Sequence, residues 1–271
     1  DSILMIKINA FFRLFSFGSF HVHSIFFNFL SLIGLVGIYR FFKSFVKLNS
    51  LWLIGVVFCL PSVLFWSSSV LKESLLILLL GMICYQFYKL SHLRSVRLKP
   101  LLYIVISIFF LALLKFYIVI ALLIPLTAYL YNYFFKIKFY LVSYLVATLC
   151  FLTLFFQSSL IDILVLKQND FLNLVSNTKA GSYFTIPTLE PTFLSVLYAI
   201  PNGIMNCFIE PLPNRELSIM AIPAILENVL ILLGVILIIP QLLKKENWGA
   251  KHLNGLFFII FFTVILFAII G

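Results

Sequence analysis

Along this chain, stretches of about fifteen to twenty apolar residues alternate with short polar breaks, and almost every break contains Lys or Arg. A helix crossing ~30 Å of hydrocarbon needs about 20 apolar residues, fewer when its ends reach the headgroups. On that rule the pattern predicts eight spans, over 23–40, 51–66, 73–89, 100–114, 117–133, 138–157, 219–240 and 254–271. The fourth and fifth are separated only by Lys115 and Phe116, as two short helices meeting near one membrane face or as one reentrant pair.

Two stretches do not fit a span. Residues 1–22 carry Lys7 and Arg13 among apolar pairs and are broken by Ser16, Gly18 and Ser19, which predicts a helix lying in the membrane interface. Residues 158–218 gather five of the acids and five of the prolines into a long outer region. Its apolar piece "TFLSVLYAIPNGIMNCF" is expected to break at Pro201, Asn202 and Gly203 into a reentrant or surface segment. The expected fold is thus an all-α polytopic membrane protein in one membrane domain. The first residue, Asp1, and the apolar run still in progress at Gly271 suggest a piece of a longer chain.

Composition agrees with this solvent. Hydrophobic residues make up 63% of the chain and charged residues 10%, too few charges to cover a water-soluble core of this length. The net charge of +10 is unevenly distributed. With alternating spans, one set of loops holds Arg40, Lys43, Lys47, Lys89, Arg94, Arg97, Lys99, Lys136, Lys138, Lys244, Lys245 and Lys251, against the single acid Glu246. The opposite set balances its bases with acids. Cytoplasmic loops retain positive charge, so the basic side is expected in the cytoplasm and the 158–218 region outside it. A nucleic-acid footprint would instead need a solvent-exposed basic face with stacking aromatics. Cys59, Cys84, Cys150 and Cys207 show no CxxC or paired spacing, which argues against a disulfide or zinc framework.

The polar residues beside the spans carry whatever chemistry there is. In "FCLPSVLFWSSSVLKESLLILLLGM" the serine cluster and Lys72-Glu73 separate two apolar runs. One reading is structural: Glu73 favours the helix N-terminus, Lys72 snorkels and the serines cap the helix. The other is functional: Glu73 faces an outward cavity, taking a proton from a hydroxyl or holding a metal, while Lys72 binds an anionic headgroup. His21 and His23 stand at i and i+2, a spacing that suits interfacial polar residues better than a helical chelating pair. Glu227, inside the seventh span, reads equally as a functional acid or as one satisfied by Asn228. Walker, Rossmann, HExxH and GxSxG patterns do not occur, against an ATPase, a dehydrogenase, a zincin and an α/β-hydrolase.

Pro61, Ser62, Ser67, Glu73, Ser74 and Leu75, in order, resemble the "NPAS…YSESLF" segment of the GPI mannosyltransferase II type, a member of the C-type glycosyltransferase superfamily. "LLKFYIVIALLIPL" is similar to the "(R/K)-x-Y" element of bacterial membrane glycosyltransferases of that superfamily, with Lys115 and Tyr117 in the matching places. "AIPNGIMNCFIEPLPNRE" resembles their outer-loop "P…N…RPFPWE" element through Glu210, Pro211, Pro213 and Glu216, although Glu210 stands where arginine is usual and Asn214-Arg215 replace a Trp.

The resemblance implies a bacterial inner-membrane enzyme of envelope polysaccharide assembly, moving a sugar from a polyprenyl-phosphate carrier to a glycan or lipid acceptor outside the cytoplasm. It implies a main catalytic base in a first outer loop, which would precede Asp1. Glu73 is then a second-loop carboxylate positioning acceptor or a divalent cation. Lys72, Lys115, Tyr117, Glu210, Arg215 and Glu216 are the candidates for substrate contact, with Lys115 on the carrier phosphate. A flippase or transporter of a lipid-linked oligosaccharide, or a polysaccharide polymerase or ligase, are the rival readings.

Overall fold

A computed structural model describes residues 2–45, 49–92, 98–156, 160–178, 188–209, 222–243 and 250–270. All regular structure among them is helical. In chain order the helices are α1 (Ser2–Ser16), α2 (Phe20–Phe45), α3 (Ser50–Phe58), α4 (Pro61–Ser67), α5 (Lys72–His92), α6 (Leu98–Leu114), α7 (Phe116–Phe135), α8 (Tyr140–Phe156), α9 (Leu160–Thr178), α10 (Phe193–Ile209), α11 (Ile222–Leu243) and α12 (Ala250–Ile270). Where hydrocarbon replaces water, a helix pairs its backbone polar groups within itself, which is why so apolar a chain takes this form.

Among the described residues α2, α5 and α7 are long and apolar enough to cross a membrane, and α3 with α4, bent by 51° at Cys59-Leu60, makes a fourth crossing if the pair is one span. The helices α6, α8, α11 and α12 coincide with the other four expected spans, and among the described residues their apolar stretches cover Leu98–Leu114, Tyr140–Thr153, Ile222–Leu233 and Leu253–Ile269. The 17 residues of α6 reach about 25 Å, and Lys115 alone separates α6 from α7.

The chain divides into two compact units, Asp1–Val119 and Ile120–Gly271. In the first, α2 and α5 form the most extensive helix pair, and α5 also packs on α6. The α2–α5 contact is made by backbone. A Cβ on Gly34 would collide with the carbonyl of Ile77 and lie 2.6 Å from Leu78 Cα, one on Gly37 would strike Gly81, and one on Gly81 would strike Gly34. Small residues allow such close approach between helices in lipid, where packing replaces the hydrophobic drive.

The N-terminal segment ends its helix at Ser16, six residues earlier than the expected 1–22, and turns through Phe17 and Gly18, both at positive φ. The turn is fixed by His23, whose Nδ1 accepts from Ser16 Oγ at 3.2 Å and whose Nε2 donates to Asn9 Oδ1 at 2.8 Å in the tautomer that satisfies both. Phe12 stacks on Phe26 across it, while Ile3, Ile6 and Leu14 stay exposed.

In the second unit α8 and α10 pack against α12. The expected break at Pro201 does not occur: α10 continues from Phe193 to Ile209 with Pro201 inside it. A proline removes one donor from the ladder, a smaller loss than opening several backbone groups among apolar neighbours. Among the described residues the 158–218 region holds two helices, α9 and α10, the second of them unbroken at Pro201. A polar cluster ties the rest of this unit. Asn254 Oδ1 accepts from Asn132 Nδ2 (3.1 Å) and Tyr144 OH (3.1 Å), and Asn254 Nδ2 donates to Tyr129 O (3.2 Å), with all four residues buried.

Gly81→Ala is expected to destabilise the protein by about 2 kcal/mol, since a methyl group forced into a backbone contact overpacks it. Gly55→Ala in α3, where nothing lies within 4 Å of the new Cβ, should change stability by less than about 1 kcal/mol and in the stabilising direction. Denaturation of both variants in mixed micelles measures the difference; equal effects would mean that α2 and α5 are not in backbone contact.

Candidate functional site

The site lies where α4 gives way to α5. The helix α4 ends at Ser67, and the C-terminal carbonyls of a helix have no partner within it. Ser67 O accepts from Ser31 Oγ of α2 at 3.0 Å and from Ser74 Oγ of α5 at 3.2 Å, and Ser74 Oγ also reaches Ser69 O at 2.8 Å. The Asn28 amide, oriented so that its nitrogen faces these oxygens, donates to Ser68 O at 2.8 Å and Ser67 O at 3.2 Å. The hydroxyls of Ser67 and Ser68 turn back onto Leu64 O and Phe65 O. These two serines thus close α4 rather than cap α5, contrary to the capping expected of the cluster.

That turn fixes the start of α5 and places Lys72 and Glu73 in its first turn. A carboxylate there meets the positive end of the helix dipole. Glu73 Oε1 also accepts a charge-assisted hydrogen bond of 3.0 Å from Lys115 Nζ, 42 residues away. Lys115 is held between the end of α6 and the start of α7, its own backbone N–H bonded to Leu111 O at 2.8 Å. The ammonium also lies 6.0 Å from the centre of the Tyr117 ring.

The two charged side chains are 27% and 28% exposed, enough for water and ligands to reach them and little enough that their attraction exceeds that of a surface pair. Burial pulls the Lys115 ammonium toward neutrality, but Tyr117 and Glu73 outweigh it, and its pKa stands above the ordinary lysine value. The side chain is therefore a lasting cation at neutral pH, as a phosphate contact requires.

Of the expected site residues, the structure brings Glu73, Lys115 and Tyr117 together. Lys72 sits beside them, half-buried, and forms no ion pair among the described residues. Glu210, Arg215 and Glu216 lie outside the described residues. Glu227 is buried in α11 and has an interaction of its own. No group of three His, Cys, Asp or Glu side chains converges among the described residues.

Next to the first turns of α5 is an open apolar hollow of about 340 Å³ between α1, α2 and α5, lined by Ile8, Phe11, Phe12, Leu30 and Leu75 with Lys7 among them. Sequence reading missed Asn28 and Ser31, which hold the turn, and the glycines that bring α2 to α5. The signal was present: Ser31, Gly34 and Gly37 recur every three residues on α2, and Ser74 and Gly81 are seven apart on α5, which puts small side chains on one helical face.

Compared with protein-family models, curated proteins and solved structures, the chain matches none of them.

A double-mutant cycle of Glu73→Gln and Lys115→Gln should return a coupling energy on the order of 1–2 kcal/mol, between the values of exposed and buried ion pairs. Additive effects of the two substitutions would show that the pair is not formed in the membrane.

Proposed function

We propose that this protein is a membrane glycosyltransferase with eight crossings that takes a sugar from a polyprenyl-phosphate carrier and passes it to an envelope glycan or lipid acceptor outside the cytoplasm. The observation that carries the reading is the partly exposed Glu73–Lys115 pair beside Tyr117. It joins a carboxylate and a cation from two of the motifs that resemble such enzymes, at the turn where α5 begins. The helical form of all eight expected spans is in keeping with the same architecture.

In this proposal the donor phosphate takes the Lys115 ammonium from Glu73, exchanging one charge-assisted contact for another. The released carboxylate accepts a hydrogen bond from the acceptor hydroxyl and takes its proton as that oxygen attacks the anomeric carbon. The bond from that carbon to the phosphate oxygen breaks, and the polyprenyl phosphate leaves with the electron pair, its charge held by Lys115. The hollow lined by Phe11, Phe12 and Leu75 offers an apolar surface for the first isoprene units. Glu210, Arg215 and Glu216 would contribute further contacts to donor or acceptor.

Membranes containing the full-length protein, supplied with a panel of polyprenyl-phosphate hexoses, test this directly. Glu73→Gln should lower sugar transfer by ~10²-fold to 10⁴-fold, the range of general-base catalysis. Lys115→Gln should raise the KM for the donor. Transfer unchanged in Glu73→Gln would remove the carboxylate from the reaction, and the absence of transfer by the unsubstituted protein with every donor would remove the reaction itself.

A further inference from the structure

At the other end of the α2–α5 pair, twelve residues along α5 from Glu73 and so about 18 Å away, a second hollow of about 490 Å³ is lined by Arg40, Lys43 and Ser44 of α2 and by Tyr85 and Tyr88 of α5. Arg40 Nη1 donates to the Tyr85 hydroxyl at 3.0 Å. The guanidinium carbon of Arg40 lies 5.2 Å and the ammonium of Lys89 4.4 Å from the centre of the same ring, so the two charges are less than about 10 Å apart, within one Debye length at ordinary salt. Lys43 stands over the Tyr39 ring at 5.6 Å. Arg40, Lys43 and Lys89 form no salt bridge with an acid among the described residues.

Arg40 and Lys89 meet at one aromatic ring, with Lys43 close by on the neighbouring Tyr39 ring, so like charges repel here and an anion bound among them relieves that repulsion. Most of the Arg40 guanidinium remains available, since one of its five N–H groups is used on Tyr85. A planar guanidinium beside two ammonium groups and a tyrosine hydroxyl is suited to the non-bridging oxygens of a phosphate. The hollow lies at the ends of two helices that are long and apolar enough to cross a membrane, which sets it at headgroup depth, where phosphate comes attached to acyl chains.

We propose that the hollow lined by Arg40, Lys43, Ser44, Tyr85 and Tyr88, with Lys89 beside it on the Tyr85 ring, binds the phosphate of an anionic phospholipid. The site is separate from the Glu73–Lys115 pair and does not depend on what that pair does. Tyr85 holds Arg40 in place, Arg40 and Lys89 take the phosphate oxygens, and Lys43 neutralises residual charge at the rim. The bound lipid draws α2 and α5 together at this end as the glycine contact does at mid-length.

Native mass spectrometry of the full-length protein, with phosphatidylglycerol or phosphatidylcholine of matched chain length added to the micelles, measures this. The unsubstituted protein should retain phosphatidylglycerol preferentially. Arg40→Gln with Lys89→Gln should lower its apparent affinity roughly 25-fold, at about a factor of five per cation removed, with phosphatidylcholine retention unchanged. Lys43→Gln, at an exposed position, provides a variant whose folding is not at issue and should weaken phosphatidylglycerol about fivefold. Millimolar inorganic phosphate should not displace the lipid; displacement would assign the hollow to free phosphate and overturn the lipid assignment. Equal retention of both lipids, or phosphatidylglycerol retention unchanged in Lys43→Gln and in the double variant, would overturn the site.

Discussion

The contact on which the first unit depends is the approach of two backbones, Gly34 and Gly37 of α2 against Ile77 and Gly81 of α5. In lipid, helices gain nothing by hiding apolar side chains from one another, so shape and hydrogen bonds decide which pairs form. Once those glycines touch, the register of α5 on α2 is set. Ser31 and Ser74 then fall on the Ser67 carbonyl from opposite sides, and Arg40 and Tyr85 meet at the other end. One helix pair thus carries an acid-bearing turn at one end and a wholly basic hollow at the other.

Polar groups in so apolar a chain are held in a few shared clusters. Ser67 O serves hydroxyls from two helices, and Asn254 serves side chains or carbonyls from α7 and α8. Each cluster removes several orphan groups at once, where an unpaired amide or hydroxyl in hydrocarbon would cost a few kcal/mol. The Glu73–Lys115 pair is different, since both of its members keep about a quarter of their surface open. That partial exposure leaves room for exchange with an incoming anion.

Much of this was legible in the sequence because solvent sets the helix period and length. Apolar runs marked the helices, and their breaks marked the ends to within a few residues at α5, α6 and α7. The partnership of Glu73 and Lys115 was legible only as two residues assigned to one face, because a contact across 42 positions follows from the packing of α5 on α6 and not from local pattern. Pro201 misled for a physical reason: its cost is judged against water in soluble proteins, and among apolar neighbours an interrupted helix costs more than a missing donor. The glycine contact was carried by spacing alone, and its meaning depends on two helices facing each other.

In the proposed arrangement the α2–α5 pair stands across the membrane, with Lys72 and Glu73 in water on one side and Arg40 and Lys43 on the other. Single cysteines at Lys72 and at Lys43, each in a chain whose four native cysteines are replaced by serine, can be probed with a membrane-impermeant maleimide in sealed right-side-out vesicles. Labelling of Lys72→Cys from outside, with Lys43→Cys labelled only after the vesicles are opened, is the predicted result. Both sites labelled from one side, or the reverse pattern, would contradict it.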